Sequence, residues 1–542
     1  MSQLFRNGRF FTAPTRSEPA EETVFADCII VNDGIISHIG HESDVEVQLI
    51  RGEGSPVVDL QNRIVVPGFI DGHMHLLMLG QALTKLSLEA CKNLEDIRAA
   101  IKSYAGLHLQ APRILCRGWM HSMTDGQALA SMLDDLDERP VFIDSKDLHS
   151  TWCNTAALKE LEVDSVADPV GGKVHRDEHG RPSGLLSETA AQIFVWPHIA
   201  RVASLKEKLG ALRGAFHAYT AAGYTGIVDM AMDENAWEAL QILRSKEDIP
   251  FRIAAYWLIQ PSTDKERNLA QVDQAIALHQ KFNEGTSPDF RIAGIKIICD
   301  GVVDACTAAL CEPYANGLSA ESLWPAEMLS PVVQRADSAG LQCALHAIGD
   351  QAIKIAIDAL EPCCQRGKGG RRHRVEHLEL ASLEDAKRLG QLGITASIQP
   401  VHADPAILRA WPNLIGKHRC SRAFAYREFL AGGATLALGS DSPTAPFTPL
   451  SNIYVASTRR SAREPGLETK VNENFAISLS SAFSAATTGA AYSCFSEQRV
   501  GSLRKGLKAD FAVLDMEWAT EDLLHARVIQ TWFEGKMVYS QS

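Results

Sequence analysis

Two histidines that are two residues apart follow an apolar run near the start of the chain. The run Val65-Val-Pro-Gly-Phe-Ile-Asp-Gly leads directly into His73 and His75. Residues i and i+2 of a β-strand point to the same face, so both imidazoles would lie side by side if this run is a strand. Neighbouring imidazoles are typical ligands of Zn²⁺. The pair therefore predicts a metal site.

A lysine interrupts another apolar run, Ile292-Ala-Gly-Ile-Lys-Ile-Ile298. An ammonium group is costly to bury, so either Lys296 reaches solvent at the strand end or its amine is neutral. A neutral lysine amine can react with CO₂, and the resulting carbamate can bridge two metal ions. We favour the second interpretation and predict that Lys296 is carboxylated.

Further candidate ligands follow later apolar runs. His346 and His377 each end such a run, and Asp441 follows another. Taken singly, such residues are more often core histidines or a turn-forming aspartate, but their shared place at the ends of strand-like runs favours metal binding. Glu376 alternates with His377, so we expect it to face the surrounding helices and to be structural.

Eight apolar runs alternate with helical stretches, which is the pattern of repeated β/α units. A closed parallel barrel has eight strands and carries its active site at their carboxyl ends, where the candidate ligands fall. The predicted fold class is therefore α/β, a TIM-type (β/α)8 barrel. The runs are Ile64–Ile70, Thr225–Asp229, Phe251–Ile259, Phe290–Ile298, Gln342–His346, His373–His377, Ile394–Gln399 and Thr435–Leu438.

The remaining segments predict two additions to the barrel. The strand-like runs Arg113–Cys116 and Pro140–Ile143 indicate an insertion at about residues 77–188, after barrel strand 1, and turn-rich residues 169–184 within it predict a β-hairpin. Short β-type runs at both chain ends predict that residues 1–63 and 501–542 form one small β-sandwich domain, with the barrel in residues 64–500.

Five further residues are candidate substrate contacts. Gln399 and His402 follow the seventh run at the expected barrel mouth. The insertion starts from the carboxyl end of the first run, so we expect it to fold over this mouth and to bring Trp119, His149 or Trp152 into the pocket. Aromatic walls with a few polar groups are typical of small-molecule sites.

The composition limits the classes of partner and compartment. The chain has 542 residues, with 53 basic and 66 acidic side chains and a net charge of −13, so a nucleic-acid partner is not expected. The first residues lack the apolar stretch of a signal peptide, and the 12 cysteines form no CxxC pair. We therefore expect a cytoplasmic protein with no membrane partner; whether it forms a homo-oligomer stays open.

The combined motifs resemble the amidohydrolase superfamily, and more narrowly the YtcJ-like or amidohydrolase 3 group, which includes N-substituted formamide deformylase. One departure is Trp119-Met-His121, where relatives tend to carry an acidic residue after the Trp, and it bears on the substrate pocket rather than on the metal site. The matching stretches are Pro67–His75, Asp147–Asn154, Lys296–Gly301, Thr307–Leu310, His346–Asp350, Arg374–His377, Gln399–Pro400, Gly439–Asp441 and Gly501–Asp510.

The resemblance implies a binuclear centre. His73 and His75 would bind one metal with Asp441, His346 and His377 would bind the second, and carboxylated Lys296 would bridge them. Zn²⁺ suits such nitrogen and oxygen donors, as do Mn²⁺, Fe²⁺ and Co²⁺. A metal lowers the pKa of bound water towards about 7, and the hydroxide would attack the carbonyl of an amide, formamide or cyclic amide. Asp441 would act as general base and then as general acid.

Two other functions remain open at this stage. A mononuclear site could deaminate an aminated ring and would need no lysine bridge. A barrel that has lost catalysis could serve as a binding or signalling protein, although a complete ligand set argues against this. One or two metal ions per chain would indicate an enzyme, whereas none would favour the binding protein.

Overall fold

The computed structural model of the chain describes residues 2–12, 24–146, 150–169, 172–366 and 370–541. These residues form three β-sheets, and the largest contains eight parallel strands that neighbour one another in chain order. We number them β1 (Phe69–Met74), β2 (Tyr224–Met232), β3 (Arg252–Ile259), β4 (Phe290–Ile298), β5 (Gln342–Ala347), β6 (Arg374–His377), β7 (Thr395–Ile398) and β8 (Leu436–Leu438).

Strand β8 returns to β1 and brings the sheet close to a closed barrel. An isolated parallel bridge joins Met74 to Ser442. Asp71 strengthens this junction, because its carboxylate accepts hydrogen bonds from the backbone N–H and the hydroxyl of Ser440 at 2.9 and 2.6 Å. The α/β barrel predicted from the sequence is confirmed.

The first barrel strand begins later than predicted. Residues 64–67 belong to the strand Val57–Pro67 of another sheet, and β1 begins at Phe69. Pro67 has no N–H to continue a ladder, and Gly68 passes so close to Thr225 that a β-carbon would collide with its side chain. The single apolar run Ile64–Ile70 is therefore divided between two sheets.

Helices follow the barrel strands and begin with side-chain caps in several cases. Ser382, for example, accepts a hydrogen bond from the backbone N–H of Asp385 at 3.0 Å.

None of the helices that the structure describes combines the length and the apolarity that a membrane crossing requires. The helices after β2 to β8 are Glu234–Lys246, Lys265–Lys281, Ala326–Ser338, Asp350–Arg366, Leu383–Gln391, Trp411–Leu414, Gly416–Cys420, Tyr426–Ala431, Pro449–Thr458, Leu479–Ser484, Ala485–Gly489 and Ala490–Ser493.

Strands from both chain ends form a single seven-stranded sheet. Phe511–Asp515 pairs antiparallel with Val57–Pro67, and the ring of Phe5 packs edge-on against Phe511 and Trp532 at 5.1 and 4.8 Å. We retain a composite domain from the two chain ends as a proposal. In sheet order the strands are Lys536–Ser540, Arg527–Phe533, Phe511–Asp515, Val57–Pro67, Ser2–Thr12, Val24–Asn32 and Ile35–Gly40.

The chain divides into two compact units. The first comprises Met1–His75, Phe216–Glu234 and Arg244–Ser542, and the second comprises Leu76–Ala215 and Asn235–Leu243. The second unit thus extends beyond the predicted insertion, because the helix Trp196–Val202 adds Ile199 to a core that contains Phe142 and Leu186.

The second unit has its own six-stranded sheet. Gly172–Arg176 and Pro182–Glu188 pair antiparallel and form the expected hairpin. The strands are, in sheet order, Gly172–Arg176, Pro182–Glu188, Ser150–Cys153, Val141–Ser145, Ile114–Trp119 and Leu86–Ser87, and the helices before Leu205–Ala221 are Leu76–Thr84, Leu94–Leu107, Thr155–Leu161, Ala191–Val195 and Trp196–Val202.

A buried arginine links the barrel to the C-terminal strands of the seven-stranded sheet. Arg252, at the start of β3, pairs with Asp510, with Glu534 at 2.6 Å and with Asp289 at 3.0 Å. Arg252→Ala would leave the carboxylate of Asp510 buried without its cation, so we expect a loss of about 3–5 kcal/mol in the free energy of unfolding. Denaturant unfolding measures it.

The matched control is Arg335→Ala. Arg335 pairs with Asp273 through side chains that are 55% and 51% exposed, and such a pair contributes less than about 1 kcal/mol. Equal losses of stability in the two variants would contradict the role assigned to Arg252.

Candidate metal centre

All six predicted ligands lie at or just beyond the carboxyl ends of barrel strands. His73 is on β1, Lys296 on β4, His346 on β5 and His377 at the end of β6, while His75 and Asp441 follow β1 and β8. In the part of the chain that the structure describes, ligand atoms of His73, His377 and Asp441 all lie within 4.8 Å of one another. Residues from three different strands thus converge on one point.

Asp441 directs one carboxylate oxygen at both histidines of the first pair. Its Oδ1 lies 3.3 Å from Nε2 of His73 and 3.1 Å from Nε2 of His75. The backbone of Asp441 has φ +56° and donates a hydrogen bond to the carbonyl of His73 at 2.7 Å. Burial alone would raise the pKa of this carboxyl, but the two imidazoles outweigh it and lower the pKa well below its usual range.

Lys296 is buried beside His73. Its side chain is 2% exposed, and Nζ lies 3.5 Å from Nε2 of His73. Among the described residues, no carboxylate lies within 4.0 Å of this amine. Burial lowers the pKa of Lys296. A neutral amine at this place can react further, whereas an ammonium beside a metal ion would be repelled.

Burial favours the neutral forms of His346 and His377. Their ring centroids are 4.4 Å apart. Burial lowers the pKa of His346 to about 3 and that of His377 well below its usual value. Nδ1 of His377 is buried and has no hydrogen-bond partner among the described residues. Neutral imidazoles, a carboxylate and an orphaned buried nitrogen are a donor set that fits a divalent metal.

The prediction that Glu376 faces the helices is wrong. Its side chain is fully buried, and Oε2 accepts a hydrogen bond from Nδ1 of His73 at 2.7 Å. The regular alternation ends here because His377 has φ +74°, so both neighbours reach the barrel interior. Burial would raise the pKa of Glu376, but the charge of Arg374 and the bond to His73 lower it well below its usual range. A carboxylate on Nδ1 leaves Nε2 of His73 free for a metal.

A buried aspartate that sequence reasoning missed supports His346. Asp300 follows β4, and its carboxylate accepts hydrogen bonds from the backbone N–H groups of Ala309, Ile348 and Gly349 at 3.0, 3.0 and 2.8 Å. Its Oδ1 lies 3.5 Å from Nε2 of His346. Burial raises the pKa of Asp300 to about 7. The available signal was its place in Cys299-Asp-Gly301, directly after the strand of Lys296.

The structure brings His402 to the centre. Its Nε2 lies 3.7 Å from Oδ2 of Asp441, and its ring lies parallel to that of His377 with 5.7 Å between centroids. Gln399 follows β7 with its side-chain Oε1 buried and without a hydrogen-bond partner among the described residues. Both residues remain candidate substrate contacts.

The three candidate substrate contacts from the insertion are not placed at the metal centre by any contact that the structure describes. His149 lies outside the described residues. Trp119 and Trp152 are fully buried in the core of the second unit, with ring centroids 5.3 Å apart. These indoles fill a hydrophobic core and expose no surface to a ligand, so their environment does not support a role as substrate contacts.

A second group of potential ligands lies away from the centre and does not suit a metal. Asp337, Cys363 and His373 come together beside the start of β6. Nδ1 of His373 accepts a hydrogen bond from the backbone N–H of Cys343 at 3.0 Å. The proton of the neutral ring is therefore on Nε2, which lies 3.3 Å from Asp337 and has no lone pair for a metal.

The sequence of residues 56–539 matches the sequence model of the amidohydrolase family. The chain belongs to this family. It is accordingly a hydrolase that acts on carbon–nitrogen bonds, and a divalent metal is its cofactor.

Curated relatives cover almost the whole chain. Protein LONG AFTER FAR-RED 3 of Arabidopsis thaliana is 30% identical over 99% of this chain and 91% of its own length. The putative amidohydrolase YtcJ of Bacillus subtilis is 26% identical, covering 96% and 97%, and N-substituted formamide deformylase of Arthrobacter pascens is 24% identical, covering 95% of each. An uncharacterized metal-dependent hydrolase of Pyrococcus horikoshii, 23% identical, shares the fold with a TM-score of 0.79 over 96% of this chain and 98% of that one.

The bond between Glu376 and His73 can be tested by metal affinity. Glu376→Gln keeps the shape of the side chain but removes the charge that fixes the imidazole, so we expect metal affinity to fall by about 10- to 100-fold. Competition with a chelator of known affinity measures this. Glu384→Gln, on an exposed helix turn, is the control and should leave the affinity unchanged. An unchanged affinity in Glu376→Gln would show that this carboxylate does not act on the metal site.

Proposed function

We propose that this protein hydrolyses a non-peptide amide bond in an amide, formamide or cyclic amide at a binuclear metal centre. The observation that carries the proposal is the orientation of Asp441. Its Oδ1 faces His73 and His75, while its Oδ2 lies 3.7 Å from Nε2 of His402, whose side chain is 18% exposed. One carboxylate can thus contact the metal ligands and a substrate at once.

The donor set divides naturally between two ions. His73 and His75 would hold one with Asp441, His346 and His377 would hold the other, and modified Lys296 would be shared. Zn²⁺ suits these donors. When bound, the metal polarises the scissile carbonyl and lowers the pKa of water.

Lys296 would act as a carbamate. The amine reacts with carbon dioxide, Lys-NH₂ + CO₂ → Lys-NH-COO⁻ + H⁺, which replaces the neutral amine by an anion with two oxygen ligands. Two facts support this reaction. Lys296 is 2% exposed, and its Nζ lies 3.5 Å from Nε2 of His73 with no carboxylate of the described ranges within 4.0 Å.

Asp441 would carry the proton of the reaction R-CO-NHR′ + H₂O → R-COOH + R′NH₂. It would take the proton from water and deliver it to the leaving nitrogen as the C–N bond breaks. No covalent intermediate on the protein is needed. The name of one relative, N-substituted formamide deformylase, supports a formamide as the first substrate to examine.

A mononuclear deaminase is the second candidate. One observation favours it: the tight group His73, His377 and Asp441 takes ligands from both predicted sets and needs only one ion. An adenosine deaminase and a guanine deaminase share the fold with TM-scores of 0.56 and 0.55, at 13% and 11% identity, which speaks for the fold alone. The non-catalytic alternative is set aside, because the chain belongs to a family of hydrolases.

Metal content separates the two enzymes. We expect two metal equivalents in the wild type and one in Lys296→Ala, because the bridging anion is lost. A short carboxylate such as formate, supplied in excess, should restore part of the activity, whereas Lys296→Arg should stay inactive since guanidinium remains charged. Elemental analysis of the purified proteins gives the counts. One equivalent in the active wild type would favour the mononuclear deaminase.

The role of Asp441 predicts a loss of turnover. Asp441→Asn keeps the size of the side chain but cannot carry the proton, so we expect kcat to fall by about 10²- to 10⁴-fold. The measurement uses whichever compound the wild type hydrolyses in a screen of formamides, amides and cyclic imides. Asp358→Asn, on an exposed helix face, is the control. A metal-loaded Asp441→Asn protein with wild-type kcat would refute the proton-transfer role.

A further inference from the structure

We propose that a small resident anion, of the size of chloride, occupies a buried site formed by the guanidinium group of Arg459 and the hydroxyl group of Tyr426. Neither residue belongs to the predicted metal ligands or to the candidate substrate contacts, so this site goes beyond the proposed function and does not depend on it. The anion would supply a negative charge that the surrounding protein does not provide.

Arg459 is a buried cation without a counter-ion. Its side chain is fully buried, and no carboxylate oxygen in the part of the chain that the structure describes lies within 4.0 Å of it. Nη1 and Nη2 are both buried and have no hydrogen-bond partner among these residues. Nε is satisfied, because it donates to the carbonyl of Val471 at 2.7 Å. The two terminal nitrogens of the guanidinium therefore require an acceptor from outside the chain.

The hydroxyl of Tyr426 is a second unsatisfied group beside the first. Tyr426 is fully buried at the start of the helix Tyr426–Ala431, and its Oη has no hydrogen-bond partner within the described ranges. The guanidinium carbon of Arg459 lies 4.9 Å from the centre of the tyrosine ring. Burial raises the pKa of Tyr426, so the hydroxyl keeps its proton and can donate it to an acceptor.

The charge of Arg459 favours an anion over a water molecule as the missing partner. Burial lowers the pKa of Arg459, but a guanidinium stays protonated because its ordinary pKa lies above about 12. A water molecule could accept a hydrogen bond from these donors, but it would leave the cation without a compensating charge away from solvent, which is costly. An anion satisfies the donors and the charge together.

Burial also limits the size of the anion. Because Arg459 and Tyr426 are both 0% exposed, the occupant has to be enclosed by protein. A monatomic anion accepts hydrogen bonds from any direction and needs no further donor arrangement. Chloride is therefore the ligand to which the proposal commits.

The anion would help to hold a segment that is anchored beside the end of β7. Arg459 directly follows a helix and begins the connection to the next one. Along this connection, the backbone N–H groups of Ala462 and Arg463 donate to Oδ2 of Asp404 at 2.9 and 3.1 Å. Asp404 is buried and directly follows the 3₁₀ turn Pro400–Ala403. Fixing the first residue of the connection therefore supports its attachment to this turn.

Bromide provides a direct test, because it substitutes for chloride and is located by its anomalous scattering. Crystals of the metal-loaded wild type soaked in sodium bromide should show a peak in contact with the terminal nitrogens of Arg459 and with Oη of Tyr426. The position of the peak separates this site from halide bound to the metal. A peak at the metal centre alone, or a water molecule in the place of the halide at saturating bromide, would overturn the proposal.

Thermal unfolding of the metal-loaded protein tests the site in solution. Sodium chloride replaces sodium gluconate, whose anion is too large for an enclosed site, at constant ionic strength. Binding to the folded state should raise the unfolding midpoint of the wild type saturably, by about 1–3 °C. Tyr426→Phe keeps the ring and removes one donor, so it should weaken the apparent chloride affinity by at least about tenfold. Arg459→Gln should abolish the response.

The matched controls are Tyr104→Phe, at a half-buried tyrosine of the second unit, and Arg335→Gln, at the exposed pair with Asp273. Both should keep the chloride response of the wild type. The Tyr426→Phe variant and the bromide soak keep the proposal testable if Arg459→Gln does not fold. A wild type without a chloride response, or an unchanged response in Tyr426→Phe at equal metal content, would contradict the site.

Discussion

The junction between β8 and β1 is the constraint on which the whole centre depends. Three hydrogen bonds cross it beside the ligands: Asp441 N–H to the carbonyl of His73, His75 N–H to the carbonyl of Ser442, and Ser440 N–H to the carboxylate of Asp71. The hydroxyl of Tyr219 holds Asp71 from behind at 2.9 Å. Because the first two bonds involve the backbone of His73, His75 and Asp441, the closure of the barrel also positions these three proposed ligands.

A second constraint comes from charge inside the barrel. Arg374 is fully buried and donates to Glu376 at 2.8 Å, to the carbonyl of Gly72 at 2.6 Å and to the hydroxyl of Ser397 at 2.9 Å. A guanidinium with this many acceptors satisfies its hydrogen bonds without water. It also keeps Glu376 ionised, and this carboxylate accepts a hydrogen bond from Nδ1 of His73 at 2.7 Å, which fixes the orientation of the imidazole.

The sequence was most informative where one physical signal dominated. Strand β4 was predicted at Phe290–Ile298 and has those bounds, because its apolar residues, interrupted only by Arg291 and Lys296, lie on both faces, as is typical of a parallel strand buried on both sides. The run Ile64–Ile70 was wrongly predicted as one barrel strand, because apolarity does not indicate which sheet a strand joins. Glu376 was misplaced because alternation fails at a residue with positive φ, and no sequence pattern announces that His377 adopts one. Trp119 and Trp152 were predicted to line the pocket because the insertion starts at the carboxyl end of strand 1 and because aromatic residues suit such a pocket, and neither signal gives the packing that buries them in the second unit.

The strands of the seven-stranded sheet are synthesised at widely separated times, and this separation has a consequence for folding. Strand Phe511–Asp515 pairs with Val57–Pro67, and its partner in the ladder was made roughly 440 residues earlier. The edge of Val57–Pro67 that later pairs with Phe511–Asp515 therefore stays unpaired while the barrel and the second unit are translated. Exposed edges of this kind invite association with other chains. Pairing with Phe511–Asp515 covers this edge of Val57–Pro67 and removes the site of such association.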